Sequence, residues 1–522
     1  MKKILKNNVN LAVFLIITSG LILRLWNFHN LFYFAIDEEK AAFIIKGIAD
    51  RTHFPTVGHP SSIGFRLGPL QYYLLAPFYK LISPSPVTWG YLSVAVSFVT
   101  MILIYKLGSK IGMNAGIFSL IFYNFSFLNI IYDRRGWQLS FHSLLTLTIL
   151  YSLLKIKKGH SKYAYILTLA LIGATHFEVA TILFVPFVFF AIILFKLKFK
   201  LKIATICILL FIISHLGLFV FDIRHQFINT KYLLNYFSSS ANERIAPNVP
   251  LTGIREVYLA HNLIPSTLGR TLFPGPANLA IQYANCPQYL SYKQQFIPPI
   301  IKLAVFLLLI YFTYTTIINW RKKDDANNIQ KAMLLYLFLL FSGTAIYTYF
   351  FNGEMAEYYL LSSFAYFFIV IGILCQRILN TRFKWLMICL VLLFMISNSQ
   401  KVFTSNNPYG LNEKIRAINY SLAVIKDKPF ILDSFQTCWY SGGYRYLYTL
   451  AGYEPLTSYM DQYLNEYYIP NDWNKPHYQV SILTPEFIGD NPSGYEQYRS
   501  RAEKETDYKA KFGAIEVFVN RL

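Results

Sequence analysis

Apolar runs of about 20 residues recur along most of this chain, and each is long enough to cross the roughly 30 Å hydrocarbon core of a bilayer. Only 14% of the 522 residues are charged, whereas 55% are hydrophobic. A soluble domain carries about a quarter charged residues. Because a bilayer offers the backbone no hydrogen-bond partners, such runs fold as transmembrane helices. The sequence therefore predicts an all-α polytopic membrane protein.

The basic residues lie mainly in short gaps between these runs, for example at 155–162, 196–202 and 321–323. Lysine-rich gaps at alternate positions follow the positive-inside rule, so the net charge of +21 reports orientation and does not indicate a nucleic-acid partner. Placing these gaps inside gives about eleven spans, with a cytoplasmic N-terminus and an extracytoplasmic C-terminus. The spans are predicted near 9–26, 87–107, 113–131, 137–154, 163–176, 178–195, 203–221, 297–319, 332–351, 358–376 and 383–399.

The first run is interpreted as a retained span, because no small-residue cleavage site follows it. It leads into an external loop of about 27–86. Within that loop, Pro69–Leu81 is interrupted by Pro77 and is predicted to lie along the outer surface. If this segment crossed the membrane, the lysine clusters would no longer fall on one side. Residues 1–401 are thus predicted to form one transmembrane module.

After Lys401 the chain becomes polar and tyrosine-rich. Residues 402–522 are predicted to form a small external α/β domain. The predicted elements are helices at Leu411–Ile425 and Gly489–Lys509 and strands at Pro429–Leu432, Tyr478–Leu483 and Ala514–Val519. Cys286 and Cys438 fall in outer segments. They are interpreted as two unpaired thiols, with a disulfide as the alternative in an oxidising compartment.

The outer segments collect acids, arginines and histidines at span ends, as a reaction site at the membrane surface would require. These groups are Asp37-Glu38, Arg66, Tyr132–Arg135, His176 with Glu178, Asp222–His225, and Glu354 with Glu357. A carboxylate at a membrane boundary usually has a task or a partner. Each group also has a structural interpretation. Four structural interpretations remain open: a solvated pair for Asp37-Glu38, interfacial anchors for Arg134-Arg135, an ion pair between Asp222 and Arg224, and a packing role for His176.

Five motifs follow one another along these segments. They are Ile36-Asp37-Glu38-Glu39, Gly68-Pro69-Leu70-Gln71-Tyr72-Tyr73-Leu74, Tyr132-Asp133-Arg134-Arg135-Gly136-Trp137-Gln138, Phe221-Asp222-Ile223-Arg224-His225-Gln226-Phe227, and Tyr444-Arg445-Tyr446-Leu447 through Gly452. In this order they resemble the membrane-embedded glycosyltransferases of the GT-C superfamily. The likeness is to the bacterial branch of protein mannosyltransferases and aminoarabinose transferases, glycosyltransferase family 39. Asp133, Gln138 and Gln226 depart from the serine, asparagine and glycine common in that branch.

The resemblance implies a GT-C fold in the plasma (inner) membrane of a bacterium and an inverting glycosyltransferase of the cell envelope. The donor would be a polyprenyl-phosphate sugar, and the acceptor a hydroxyl or similar group on a protein, lipid or envelope glycan at the outer face. Asp37 would be the base, with Glu38 orienting either Asp37 or the acceptor. The residues that would bind the lipid phosphate and sugar are Arg66, Tyr72, Arg134, Arg135, His176, Asp222, Arg224 and His225. No cofactor is required, although a divalent cation at Asp37, Glu38 and a histidine is compatible with the residues.

Three other classes of membrane protein fit parts of the pattern. A transporter or flippase of lipid-linked glycans would explain the spans and the outward arginines, but it predicts symmetric halves and charges at mid-membrane. A glycan polymerase or ligase would carry its functional loop late in the chain. A structural scaffold would leave Asp37 and Glu38 unexplained. The acids of the first external loop favour the transferase.

Overall fold

The computed structural model describes residues 2–61, 64–238, 259–274, 297–351, 357–435, 442–464, 466–467, 475–485 and 492–522. Its α-helices are α1 (Lys2–Leu25), α2 (Phe28–Leu31), α3 (Ile36–Ala49), α4 (Leu70–Leu81), α5 (Val87–Ile111), α6 (Met113–Phe125), α7 (Phe127–Arg134), α8 (His142–Lys157), α9 (Tyr163–Phe177), α10 (Phe184–Phe195), α11 (Leu201–Arg224), α12 (Ile228–Ser238), α13 (Ala260–Leu272), α14 (Pro299–Ile318), α15 (Asp325–Phe350), α16 (Leu361–Ile378), α17 (Lys384–Thr404), α18 (Leu411–Ile425), α19 (Tyr444–Leu450), α20 (Asp461–Leu464) and α21 (Pro492–Glu505). The described 3₁₀ helices are Gln138–Phe141, Val179–Leu183 and Glu357–Leu360, and the strands are β1 (Phe430–Asp433), β2 (Tyr478–Leu483), β3 (Tyr508–Phe512) and β4 (Ile515–Arg521). Glu354, Cys286 and Cys438 lie outside the described residues.

Within the described residues, seven helical segments are long and apolar enough to cross a membrane, and the bent pair α6 and α7 makes an eighth if it is one span. The other apolar helices, Val9–Leu25, Tyr163–Phe177 and Val179–Phe195, are shorter. Each of the eleven predicted spans coincides with one of these segments. The prediction of a multi-pass helical membrane protein is therefore confirmed, while the orientation of its ends stays a prediction.

The core of the membrane part is formed where α6 packs between α5 and α16. The helices approach closely because small residues face one another. A Cβ added at Gly372 would lie 2.2 Å from the Ser119 hydroxyl, and one at Gly108 would lie 2.8 Å from the Cα of Gly116. Small residues of this kind are the usual means of close helix packing inside a bilayer. This tight group of helices is the scaffold that carries the outer loops.

A break at Ser126 directs α7 toward those loops. Ser126 has extended backbone angles, and its hydroxyl accepts a hydrogen bond from the backbone N–H of Asn129, so it ends α6 and caps α7. The axes of the two helices differ by 65°. The turn after α7 thereby brings Arg135 beside the start of α3.

The first loop contains α2, α3 and α4. The α4 helix has 12 residues and includes Pro77, so it falls well short of the roughly 20 residues that a span needs. It packs against α3 and α9. This placement fits the prediction that Pro69–Leu81 does not cross the membrane.

In the described part of the C-terminal segment, the strands form one sheet in the order β1-β2-β4-β3. Strands β1 and β2 are parallel, whereas β4 runs antiparallel to both of its neighbours. The predicted helix α18 and the strands β1, β2 and β4 are found within one or two residues of their expected bounds. The predicted helix up to Lys509 is too long, because α21 ends at Glu505 and Tyr508 begins a strand that the prediction missed. The predicted boundary between residues 401 and 402 stays a prediction.

Candidate active site at the first external loop

The three consecutive acids at the start of α3 lie in three different environments. Ala35 is extended and α3 begins at Ile36, so Asp37, Glu38 and Glu39 all lie in the first helical turn. Successive residues on a helix point about 100° apart. The three carboxylates therefore face three separate neighbourhoods, and they lie at the helix end whose dipole favours negative charge.

Glu38 is buried and pairs with Arg135. Its carboxylate accepts hydrogen bonds from Arg135 Nη2 at 2.6 Å and Nε at 3.2 Å, and from the backbone N–H of Ala35 at 3.2 Å. The Arg135 guanidinium also lies 4.1 Å from the Tyr33 ring centre and 3.9 Å from that of Trp137. A guanidinium held between two rings and a carboxylate is rigid. Glu38 thus fixes Arg135 and the start of α3 in one arrangement.

Glu39 is also buried, and it faces the C-terminal segment. Its two oxygens accept hydrogen bonds from the backbone N–H groups of Gly443, at 2.6 Å, and Tyr446, at 2.9 Å. These donors belong to the first turn of α19, whose N–H groups have no partners within the helix. Glu39 therefore joins the first loop to a segment 400 residues further along the chain.

Asp37 is different, because its carboxylate makes no hydrogen bond to any residue that the structure describes. It is partly exposed. Burial raises the pKa of the Asp37 carboxyl above its usual value, and the nearby cations of Lys40 and Arg135 lower it again. A carboxylate with a raised pKa and no committed partner is suited to accept a proton.

Glu178 and Tyr72 lie near Asp37. Burial raises the pKa values of Glu178 and Tyr72, and the negative charge of Asp37 raises both further, so the two groups lie within electrostatic range of Asp37. Glu178 accepts the backbone N–H of Val179 at 2.8 Å, and burial is the main cause that raises its pKa to about 7. A second carboxyl and a tyrosine ring therefore lie near Asp37.

The Trp137 ring, which contacts Arg135, also lies edge-on to the Tyr358 ring, with the ring centres 5.2 Å apart. Tyr72 is buried on α4, and its hydroxyl lies 2.6 Å from His59 Nδ1. Burial lowers the pKa of His59 to about 3, so this histidine is neutral and orients Tyr72. Tyr72, a predicted binding residue, lies within electrostatic range of both Asp37 and Arg66.

The predicted site residue Arg134 faces away from Asp37. Its guanidinium donates to the backbone carbonyl oxygens of Arg24, at 2.9 Å, and Trp26, at 3.0 Å, and also to that of Leu23. These carbonyls end α1 and have no partners within the helix. Arg134 therefore caps the C-terminal end of α1. Arg135, the next residue, pairs with Glu38 instead.

Asp133 and Arg24 form a further buried ion pair, with Nη2 and Oδ2 at 2.7 Å. Asn129 donates to the same carboxylate oxygen at 3.0 Å. Arg24 also donates to the carbonyl oxygens of Gly20 and Asn124. The unusual Asp133 therefore has a structural partner, and it links α1 to α7.

The motif at the end of α11 is mostly exposed. Asp222 does not pair with Arg224, because its carboxylate accepts from the backbone N–H of Asn229 at 2.8 Å and from the Thr230 hydroxyl at 2.5 Å. Arg224 is exposed and has no hydrogen bond or ion pair to any described residue. The His225 ring stacks on Phe221 at 4.1 Å. Gln226, where glycine is common, has a φ of 55° in the left-handed region.

Arg66 joins this motif to the C-terminal segment. Its Nη2 donates to both oxygens of Glu466, at 2.6 and 2.8 Å, and its guanidinium lies 5.6 Å from the Phe221 ring centre. Arg66 is therefore close to the α11 motif, but its charge is already paired. His176, the last predicted residue, is buried against Gly68 and lies 4.7 Å from the His215 ring. That environment fits the packing interpretation of His176.

Sequence reasoning missed Arg270, which is buried on α13. Its Nη1 pairs with Glu357, and the Tyr132 hydroxyl donates to the other oxygen of that carboxylate at 2.8 Å. The predicted spans leave residues 222–296 as one external segment, so they do not predict the helix that carries Arg270. The sequence gives no clear signal for Arg270, because α13 mixes polar and apolar residues. The role of Glu39 was missed because its partners lie far along the chain.

Among the described residues, no three His, Cys, Asp or Glu side chains are grouped as a metal site requires. Independence of metal stays a prediction. The roles assigned to the site residues also stay predictions. Asp37 lies in the same helical turn as Glu38, which pairs with Arg135, and Tyr72 lies near Asp37. Asp222, Arg224 and His225 lie together at the end of α11, and Arg66 contacts Phe221 of the same motif.

No protein-family model and no curated protein matches this chain. Solved structures do match. ArnT from Cupriavidus metallidurans bound to undecaprenyl phosphate aligns with a TM-score of 0.53 at 9% identity, over 97% of this chain and 98% of that one. The Archaeoglobus fulgidus oligosaccharyltransferase in the apo form aligns with a TM-score of 0.50 at 11% identity, over 91% of this chain and 69% of that one. At such identities the likeness shows the fold alone, and the chain has the GT-C fold that its motifs predict.

Proposed function

We propose that this protein is an inverting glycosyltransferase. It moves a sugar from a polyprenyl-phosphate donor to an acceptor hydroxyl or similar group at the outer face of the membrane. The observation that carries the proposal is Asp37, the only acid of the first turn of α3 without a hydrogen bond to a described residue. The GT-C fold and the motif order support the same reaction class.

The proposed chemistry needs a base and a bound leaving group. A hydroxyl attacks well only when a positioned base removes its proton. Asp37 would take that proton while the acceptor oxygen bonds to the anomeric carbon from the face opposite the phosphate. The bond between that carbon and the phosphate oxygen breaks at the same time, and polyprenyl phosphate leaves with one more negative charge.

That developing charge calls for a guanidinium donor. Arg134 is one predicted donor, but it already binds the carbonyl oxygens at the end of α1. Arg224 is exposed at the end of α11, directly before His225, and has no hydrogen bond or ion pair to a described residue. Arg224 is therefore the stronger candidate for the lipid phosphate.

The test uses purified full-length protein in liposomes with a panel of radiolabelled polyprenyl-phosphate sugars. A transferase releases polyprenyl phosphate and passes the label to an acceptor extract of the cell envelope. A flippase moves intact donor to the other leaflet without cleaving it. Cleavage with label transfer supports the proposal, and movement of uncleaved donor without any release contradicts it.

Replacing Lys40 by methionine is expected to move the acid limb of the transfer rate to higher pH. The ionised form of Asp37 is the base, so activity is lost as the pH falls through its raised pKa. Lys40 lowers that pKa, and removing the cation therefore raises it further. Lys46→Met is the matched control, because Lys46 lies on the same helix but pairs with Asp50. An unshifted acid limb in Lys40→Met would contradict Asp37 as the titrating base.

Arg224→Met is expected to lower kcat by roughly 10²- to 10³-fold, the usual cost of a lost donor to developing charge. The measurement is polyprenyl phosphate release at saturating donor. Lys231→Met, which removes another exposed cation from the neighbouring α12, is expected to stay near the wild-type rate. Equal rates in the two variants would show that Arg224 does not bind the phosphate.

A further inference from the structure

The third acid of the first loop, Glu39, is fully buried and makes two charge-assisted hydrogen bonds to α19. A carboxylate in this position cannot reach a substrate, so it is not a second base. Bonds from a buried carboxylate to backbone N–H groups are short and directional. They fix the distance between the first turn of α3 and the first turn of α19.

Lys414 on α18 closes the same contact from the other side. Its Nζ donates to the carbonyl oxygen of Phe34 at 2.7 Å and to that of Gly442 at 2.5 Å. One oxygen belongs to the strand-like segment that leads into α3, and the other belongs to the residues that lead into α19. Lys414 therefore holds both approaches together, and it is fully buried.

Two glycines make this close approach sterically feasible. A Cβ at Gly442 would lie 2.6 Å from the backbone nitrogen of Ile36, closer than real Cβ contacts. Gly443 has a φ of 97°, and a Cβ there would lie 2.8 Å from the Phe34 ring. A side chain at either position would push against the residues just before Asp37. We call the group of Glu39, Lys414, Gly442, Gly443 and Tyr446 the α3–α19 clasp.

We propose that Glu39 is a positioning residue. Through the α3–α19 clasp, the C-terminal segment holds the first turn of α3, and with it Asp37, in the position that transfer requires. The inference rests on the proposed transferase function. Asp37 lies two residues before Glu39 in the same helical turn, so any shift of that turn moves the Asp37 carboxylate. Misplacing a reacting group by about 1 Å can cost about 100-fold in rate. The clasp holds that turn against the C-terminal segment.

The test compares two clasp variants with matched controls in the reconstituted full chain. Glu39→Gln leaves an amide whose NH₂ faces one of the two backbone donors. Gly443→Ala strains the backbone and contacts Phe34 while Glu39 stays intact. Asp50→Asn makes the same chemical change at the other end of α3. Gly452→Ala imposes similar strain at a φ of 85°, where nothing lies within 4 Å of the added Cβ.

Two readouts separate positioning from simple stability. Hydrogen exchange of the peptide covering Tyr444–Leu450 reports the clasp without any need for activity. Polyprenyl phosphate release gives kcat and the KM for the donor. Both clasp variants are expected to exchange faster in this peptide and to lose at least about 10-fold in kcat, with the donor KM within twofold of wild type. Both controls are expected to keep the wild-type kcat and the wild-type exchange at the α19 turn.

Faster exchange with a wild-type kcat would overturn the positioning role, because the clasp would then be structural only. Unchanged exchange in Glu39→Gln would overturn the clasp itself. A rise in donor KM with unchanged kcat would also contradict the inference, since it would place the effect on donor binding. If wild type transfers no sugar while exchange still differs between wild type and Glu39→Gln, the proposed function fails and the contact between the segments stands.

Discussion

Asp37→Asn is expected to abolish glycosyl transfer, with a loss of roughly 10²- to 10⁴-fold, the contribution usual for a general base. The amide has nearly the same shape as the carboxyl group but cannot accept the acceptor's proton. Because Asp37 makes no hydrogen bond to a described residue, the change leaves the Glu38–Arg135 pair and the α3–α19 clasp in place. Expression and melting temperature are therefore expected to stay close to wild type.

Asp50→Asn is the control for that experiment. Asp50 follows the last residue of α3 and pairs with Lys46 and Lys80 at 2.8 Å each. Surface pairs of this kind contribute about 0–1 kcal/mol to stability. The control is expected to transfer sugar at the wild-type rate. A loss of similar size in both variants would mean that the result reflects the charge of the loop and not the chemistry of Asp37.

Arg135→Met is expected to lower the free energy of unfolding by about 3–5 kcal/mol, because it leaves the buried carboxylate of Glu38 without its cation. The 2.6 Å ion pair is nearly inaccessible to solvent. The contacts of the guanidinium with Tyr33 and Trp137 are lost as well. The measurement is reversible denaturant unfolding in detergent, or the shift in melting temperature where unfolding is irreversible.

The Arg135 result has its own control and a rescue. Arg416 pairs with Glu413 on the exposed face of α18, and Arg416→Met is expected to cost less than about 1 kcal/mol. Adding Glu38→Gln to Arg135→Met removes the unpaired charge and is expected to recover part of the lost stability. If the double variant is no more stable than Arg135→Met alone, the unpaired charge is not the cause of the loss.

The membrane part of the fold could be predicted because its signals are local. The length and hydropathy of a run such as Val87–Ile111 predict a span. The β-branched and aromatic residues of Tyr478–Leu483 predict a strand in the C-terminal segment. Strand β3 was missed because all five of its residues are exposed or half-buried, so no buried apolar face marks it, and polar residues there also fit the end of a helix.

The site could be predicted only in part, for a geometric reason. The sequence shows three consecutive acids, but it does not show which way each one points on α3. Arg134 and Arg135 are neighbours in sequence, yet one caps α1 and the other pairs with Glu38. The contact of Glu39 with Gly443 spans 404 positions. Long-range contacts of this kind leave no spacing pattern in a single sequence.

The most direct test of the central claim is a single-turnover comparison of wild type and Asp37→Asn, each preloaded with the same amount of bound polyprenyl-phosphate sugar. Because the amount of bound donor is equal, the rate of polyprenyl phosphate release reports the chemical step. The account predicts that wild type releases it on mixing with acceptor, while Asp37→Asn holds the donor and reacts at least about 100-fold more slowly. Equal rates of release from the two proteins would contradict Asp37 as the base.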